Sequence, residues 1–192
     1  MRQIMRFVFC VAILSTAAFA GPFGLSMGMT YSQVKKACNG KEPEKIEEGI
    51  YEIWPAKKHP DFERYFAWID AKEGLHYIKA QGGGIKTGDT GIELKGAFFI
   101  KEEALAKKYG DCLRKDSLMG RFTTPELWMS ELRNERRILW SRWSYEDGSS
   151  LPEDLTFVFL RASAMRLNEG FLSLEYEFSN HEKVESSADD VL

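Results

Sequence analysis

The first fold signal is a short stretch in which apolar residues recur at helical spacing. Thr30 and Gln33 form a capping box, in which the Thr hydroxyl accepts from the Gln33 backbone N–H and the Gln side chain reaches back. Apolar residues follow at helical spacing until Asn39 and Gly40, where the pattern stops. The pattern therefore predicts a short amphipathic helix over residues 30–39.

The next stretch shows the alternation that is typical of strands. Residues 50–54 contain Ile, Glu and Ile with aromatic residues interleaved, and residues 62–70 are rich in aromatic and apolar residues. After a turn, residues 75–80 form a further run. Such short alternating runs, separated by turn residues, predict an antiparallel meander.

Helical spacing returns in the second half of the chain. Thr90 and Glu93 indicate a second capping box, and the helix that follows ends at Gly110. A third helix is predicted to start at Thr124, with Pro125 at its first helical position. The apolar positions assigned to these two helices are Leu94, Phe98, Leu105, Tyr109, Trp128, Met129, Leu132 and Leu139. Three further strands are predicted over residues 138–145, 155–161 and 171–178.

The order helix, strands, helices, strands predicts an α+β fold with antiparallel sheet, in which a few short helices pack on one side. We expect one domain over residues 21–180. The alternative is two diverged α+β modules, 21–88 and 89–180, since VKKA at 34–37 resembles LAKK at 105–108. Residues 181–192 are polar and acidic, and we expect a flexible tail there.

The first twenty residues have the form of a secretory signal peptide. Arg2 and Arg6 precede a short apolar run, and Ala18-Phe19-Ala20 is a small-x-small ending before Gly21. The run is shorter than the roughly 20 residues of a membrane span. We therefore expect cleavage near Ala20/Gly21, a periplasmic or secreted location, and no membrane span after cleavage. The alternative is a retained N-terminal anchor.

Charge and cysteine content narrow the class of protein. Without Arg2 and Arg6, 24 basic residues face 29 acidic ones, so the net charge falls from −3 to −5. Sequence-independent nucleic-acid binding needs a basic surplus, so no nucleic-acid partner is expected.

Cys38 and Cys112 remain after cleavage, and an even pair in an exported chain predicts a disulfide. Two buried free thiols are the alternative.

No pattern in the chain predicts a catalytic, cofactor or metal site. His59, His76 and His181 are not spaced as metal ligands, and no Gly-x-Ser-x-Gly elbow is present. The glycine run at 82–84 has Ile85 where a phosphate loop needs a glycine before its Lys. Adjacent carboxylates, as in residues 102–103, point in different directions on a helix.

The most suggestive segment for binding is residues 136–145, where Arg alternates with Trp and Tyr. These residue types dominate interface hot spots. In a strand, Trp140 and Arg142 share one face and Trp143 lies on the other. The segment predicts a contact surface that includes Arg137, Trp140 and Arg142. The alternative is ordinary core packing beside a solvated row of Arg side chains.

Three short segments carry a resemblance to a known family. They are Gly28-Met29-Thr30 before Gln33-Val34, Tyr109-Gly110, and LEYEFSN at 174–180. With these segments the chain resembles a family of uncharacterised exported bacterial proteins. The Gly-Met-Thr helix start before an antiparallel sheet is also similar to modules of outer-membrane assembly lipoproteins and of β-lactamase-inhibitory proteins. That resemblance implies binding or scaffolding without catalysis. The chain lacks the lipid-attachment Cys of such lipoproteins.

The function expected from these features is that of an exported, soluble binding or interaction protein of the bacterial envelope, without a cofactor. Its partner would be another envelope protein, and the oligomeric state stays open. One alternative is an exported hydrolase acting on envelope material, which would require His and carboxylate side chains to converge in one deep pocket. A purely structural envelope component is the other alternative.

The exported form should begin at Gly21, because Ala18 and Ala20 supply the small side chains that precede a cleavage site. N-terminal sequencing of the protein recovered from the periplasm or the medium tests this prediction. A chain that retains Met1 in the membrane pellet would contradict it.

Overall fold

The computed structural model describes residues 21–119 and 124–189, with side chains as far as residue 186. The predicted signal peptide lies outside the described residues. Four α-helices are present in the described part: α1 (Tyr31–Ala37), α2 (Ile92–Tyr109), α3 (Trp128–Arg133) and α4 (His181–Asp189). The strands there are β1 (Glu44–Glu47), β2 (Ile50–Ile53), β3 (Phe62–Asp70), β4 (Gly74–Gly82), β5 (Ile85–Lys86), β6 (Leu113–Leu118), β7 (Arg137–Ser144), β8 (Leu155–Arg166) and β9 (Glu169–Phe178).

The strands form one antiparallel sheet, as the α+β prediction requires. Its order is β1-β2-β3-β4-β9-β8-β7-β6, and the short β5 also pairs with β9. Each half of the chain contributes a four-stranded meander, and the two meanders meet where β4 pairs with β9. Read inward from either edge of the sheet, the four strands of each meander therefore follow one another in chain order. The division into two modules at residues 88/89 stays a prediction.

The core lies between one face of this sheet and the helices. Strand pairing places Ala67, Ile78, Tyr176, Val158 and Trp143 in one cross-strand row, and all five are buried. Above this face, α1 contacts β4, α2 contacts β5, β8 and β9, and α3 contacts β7 and β8. The helices contribute buried apolar side chains to the same cluster, among them Val34, Leu94, Phe98, Leu105, Tyr109, Trp128 and Met129.

The helix starts show which local signals decide the backbone. The Thr30–Gln33 capping box is present, with the Thr30 backbone N–H donating to Gln33 Oε1 over 2.8 Å. The predicted Thr90–Glu93 capping box is not formed, because α2 begins after Gly91, whose φ is 68°. A Cβ at Gly91 would lie 2.1 Å from Trp128, so close packing of α3 against this turn sets the helix start.

Two other predicted segments differ in the structure. Pro125 starts a 3-10 turn, α3 follows it at Trp128, and Leu139 belongs to β7 instead of the helix. Residues 181–189, which belong to the predicted flexible tail, form α4, and the flexibility of residues 181–192 stays a prediction. Asn180 fixes the start of this helix against β4, because its buried side-chain amide donates to the carbonyl oxygens of Glu73 (2.9 Å) and Leu75 (3.2 Å).

The predicted Cys38–Cys112 disulfide is not formed, and both thiols are free. Cys38 follows α1 and its thiol lies near the backbone of Trp54, just after β2. Cys112 precedes β6 at the far edge of the sheet and lies near Glu102 and Ser141. Six strand spacings separate β2 from β6, or roughly 29 Å along the sheet. A disulfide spans at most about 7 Å between Cα atoms.

The turn before β4 supplies a stability test. Gly74→Ala should lower the free energy of unfolding by about 3 kcal/mol or more, because a strained φ adds to a backbone clash. Gly74 has a φ of 71°, and its Cβ would lie 2.4 Å from the Gly28 carbonyl oxygen. Gly40→Ala is the matched control, since Gly40 has a φ of 78° but no atom within 4 Å of the added Cβ. Chemical denaturation measures both, and equal losses would contradict the predicted clash.

Free thiols predict a definite labelling pattern. The denatured, unreduced form that begins at Gly21 should label two thiols per chain. In the folded protein labelling should be slow near neutral pH, because burial raises the pKa of both Cys38 and Cys112 and so lowers the thiolate fraction. Mass spectrometry after alkylation counts the labels. A chain without reactive thiols after denaturation would show that a disulfide forms.

Candidate functional site

The face of the sheet opposite α1, α2 and α3 carries large side chains in three cross-strand rows. The first row is Trp68, Tyr77, Glu177 and Phe157. The second is Glu52, Phe66, Lys79, Glu175, Phe159 and Arg142. The third is Arg64, Gln81, Ser173, Arg161, Trp140 and Lys115. These three rows are called the open face below.

Aromatic side chains on the open face contact one another. The ring centroids of Trp68 and Tyr77 are 4.9 Å apart, and those of Tyr77 and Phe157 are 6.2 Å apart, both edge to face. Trp140 and Phe159 make a third contact at 5.4 Å. All of these side chains are half-buried. A solvent face of an antiparallel sheet is normally polar, so this aromatic content is a departure that requires an explanation.

A charged network holds the centre of the open face, where β4 meets β9. The Tyr77 hydroxyl donates to Glu175, and Lys79 Nζ lies 2.8 Å from the other oxygen of that carboxylate. Burial raises the pKa of Tyr77, and the negative charge of Glu175 raises it further. The phenol therefore stays a hydrogen-bond donor, and the network fixes the orientation of the central aromatic ring.

Two bidentate ion pairs hold further charged side chains of the open face, one on each side of its centre. Arg64 donates to both oxygens of Glu52 at 2.9 Å. Arg142 binds Asp147 in the same bidentate manner, at 2.8 and 3.0 Å. Hydrogen bonds from Arg142 and Ser144 hold the pKa of the Asp147 carboxyl below its usual value. Such bidentate pairs fix the side chains in place more than single contacts do.

The predicted interface residues lie on different faces of β7. Trp140 and Arg142 are on the open face, as the strand alternation predicts. Arg137 has the opposite parity, and its side chain is only 15% exposed and paired with Asp116. The structure therefore brings Trp140 and Arg142 together and separates Arg137 from them. Whether this surface binds a partner stays a prediction.

Sequence reasoning missed the neighbours of Trp140. The cross-strand partners of Trp140 are Arg161 on β8 and Lys115 on β6. Within the described part of the chain, neither cation has a salt bridge to a carboxylate. The sequence predicts a strand at 155–161, but the pairing of β8 with β7 is a tertiary property. β6 carried no apolar alternation to mark it as a strand.

Two depressions flank the central Tyr77–Phe157 contact. One has a volume of 250 Å³ and is lined by Trp68, Tyr77, Lys79 and His181. The other has a volume of 300 Å³ and is lined by Arg142, Ser144, Tyr145, Glu146, Thr156 and Phe157. Both combine aromatic walls with a basic side chain. A protruding side chain of a partner would find apolar contact and a charge in either one.

A larger cavity of 670 Å³ lies beside α4 and brings His76, Asp70 and Glu48 to one lining. Their polar atoms already have partners. Asp70 Oδ1 accepts from the backbone N–H groups of Lys72 and Glu73 at 2.8 Å each. The buried His76 ring faces His181, and Glu48 pairs with Lys45 at the surface. The lining therefore contains the His and carboxylate side chains that the hydrolase alternative requires. Among the described residues of this lining, no base is hydrogen-bonded to a nucleophile.

The third histidine belongs to a separate cluster. Lys101 of α2 is buried and pairs with Asp61, and its Nζ lies 3.4 Å from His59 Nε2. Burial, and then the charge of Lys101, lower the pKa of His59. This cluster ties the loop before β3 to α2. Nearby, the glycine run at 82–84 lines a cavity of 420 Å³ without a phosphate-binding turn.

The described residues contain no group of three or more His, Cys, Asp or Glu side chains arranged to hold a metal ion. In the same part of the chain, no helix has both the length and the apolar character needed to cross a membrane.

Comparison of the chain with protein-family models, with curated proteins and with solved structures gives no match. The resemblance to exported binding and scaffold modules therefore stays an expectation from the sequence, and function has to be argued from the geometry of the site.

Proposed function

We propose that this chain is an exported binding or interaction protein of the bacterial envelope, and that the open face is its contact surface for another protein. The observation that carries the proposal is the set of aromatic side chains held half-exposed on the face opposite the helices. Export follows from the form of residues 1–20, which also leads us to place the partner in the envelope.

The shape of the open face favours a protein partner over a small molecule. Its aromatic side chains extend over several strands instead of lining one deep cavity. Small-molecule sites are concave and enclose most of the ligand, whereas protein interfaces are broad, with aromatic and Arg residues as anchors. The two depressions would each receive one large side chain of the partner.

The charge of the open face favours an acidic contact region on the partner. Most charges of this face are neutralised by neighbours, as in the Lys79–Glu175 pair. Arg161 and Lys115, on either side of Trp140, have no such pair within the described residues. Opposite charges across an interface speed association and fix its register. Carboxylates on the partner would therefore lie next to the Trp140 ring.

The face is preorganised for binding. The Tyr77–Glu175 hydrogen bond and the Arg142–Asp147 pair are already formed in the isolated chain. Aromatic side chains with few rotatable bonds, held by their neighbours, lose little conformational entropy when a partner covers them. This feature supports binding as the role of the face.

Substitutions on the open face should weaken partner binding without unfolding the protein. The partner is first identified by crosslinking in the envelope fraction and mass spectrometry, and is then purified. Trp140→Ala should raise its Kd at least about tenfold, because an aromatic anchor is removed. Arg161→Glu should raise Kd further at low salt than at high salt, because it reverses a half-buried charge that has no salt bridge to a carboxylate within the described residues. Calorimetry or surface plasmon resonance measures Kd.

Two variants away from the open face serve as matched controls. Ile100→Ala removes an apolar side chain of α2 that is 72% exposed, and Lys36→Glu reverses an exposed charge on α1. Both should leave Kd unchanged, and thermal melts should show that all four variants are folded. Equal Kd values for the open-face and control variants would contradict the proposal. So would crosslinking of the open face only to a second copy of this chain.

A further inference from the structure

Two histidines join α4 to the sheet. His76 of β4 is buried, with 6% of its surface exposed, and His181 is the first residue of α4. The ring planes differ by 19°, the ring centroids are 4.9 Å apart and the Nδ1 atoms are 2.6 Å apart, so the two rings meet edge to edge through their Nδ1 atoms. This contact joins the first residue of α4 directly to β4.

The distance between the nitrogens fits a shared proton better than a metal ion. A metal bound to both imidazoles at the usual bond length and tetrahedral angle would hold the nitrogens about 3.3 Å apart. A hydrogen bond requires one protonated nitrogen and one with a free lone pair. The edge-to-edge contact therefore accepts one proton between the two Nδ1 atoms and excludes a second.

The groups around the pair place its positive charge on the side of α4. His181 Nε2 lies 3.3 Å from Glu185 of α4 and 3.6 Å from Glu177 of β9. His76 faces the carboxylate of Asp70 at the end of β3, and the cavity that it lines also contains Glu48 and Lys72. Burial, and then the charge of His181, lower the pKa of His76 to about 4 in spite of Asp70 and Glu185.

The position of α4 connects this pair to the open face. His181 lines the 250 Å³ depression together with Trp68, Tyr77 and Lys79. Val184, one turn further along α4, lines the 670 Å³ cavity on the other side. Asn180 stays anchored to the backbone of Glu73 and Leu75 through its own side chain. If α4 moved from this anchor, the depression would lose one wall while the sheet stayed intact.

We propose that α4 is an acid-released wall of the open face: protonation of both His76 and His181 breaks their contact, and α4 leaves β4. The released state binds one more proton than the docked state. Docking is therefore complete above the ordinary His pKa of 6.5 and weakens by about tenfold per pH unit as the pH falls from 6.5 towards about 4. The consequence for partner binding rests on the proposed function of the open face.

Hydrogen–deuterium exchange of the α4 amides, measured on the protein without a partner, tests the release. His76→Phe retains the ring but cannot be protonated, and the α4 sequence is unchanged in it. The ratio of wild-type to variant exchange rates therefore cancels the chemical pH dependence. This ratio should rise at least tenfold between pH 7.5 and pH 4.5. His59→Gln, which removes a histidine in a separate cluster, should show the same rise as the wild type.

A ratio that stays constant over this range would overturn the proposal. If His76→Phe does not fold, His181→Phe replaces it, because that ring is more exposed. The ratio is then taken over the amides from Val184 onwards, because a substitution at residue 181 changes the chemical exchange rate only of the amides next to it. Protection of α4 by added Zn²⁺ at pH 7.5 would also overturn it, by showing that the pair holds a metal.

A separate experiment measures partner binding. The Kd for the purified partner should rise at pH 5 in the wild type and not in His76→Phe. Normal partner binding by Trp140→Ala would defeat the proposed function while leaving the exchange result intact.

Discussion

The pairing of β4 with β9 is the constraint on which the rest of the structure depends. Each half of the chain forms a meander from local contacts, but neither meander closes a core by itself. The buried rows cross from one meander to the other, as where Ile78 lies beside Tyr176 and Ala80 beside Leu174. These residues are far apart in the sequence, so the entropy of closing a long loop is offset only by the apolar area that the joined sheet buries.

The same pairing decides what the open face looks like. Side chains alternate between the two faces of a strand, so a slip of one residue between β4 and β9 would exchange buried and exposed positions. In the observed register, Glu175 lies beside both Lys79 and the Tyr77 hydroxyl. The core face and the proposed contact surface are therefore set by one register. Substitutions that shift this register would affect stability and binding together.

The proposed acid-released wall lies at the end of this central junction. Asn180 follows β9 and anchors the chain to the start of β4, so α4 begins where the two meanders meet. The histidine pair is the part of this arrangement that responds to pH. When one ring of the pair is an imidazolium, the other ring can be protonated only if the two rings separate, because two like charges repel each other in a buried site. The fold thus combines a permanently anchored residue with a helix whose docking depends on protonation.

Local signals in the sequence were sufficient for the α+β class, the capping box at Thr30, most strand positions and the placement of Trp140 and Arg142 on one face of a strand. These features depend on side-chain periodicity and near-neighbour hydrogen bonds. The tertiary structure alone decided which strands are neighbours, and hence that Arg161 and Lys115 flank Trp140. It also decided that the cysteines lie too far apart to pair and that the tail forms α4. Each of these depends on contacts between distant segments, whose energies no local pattern contains.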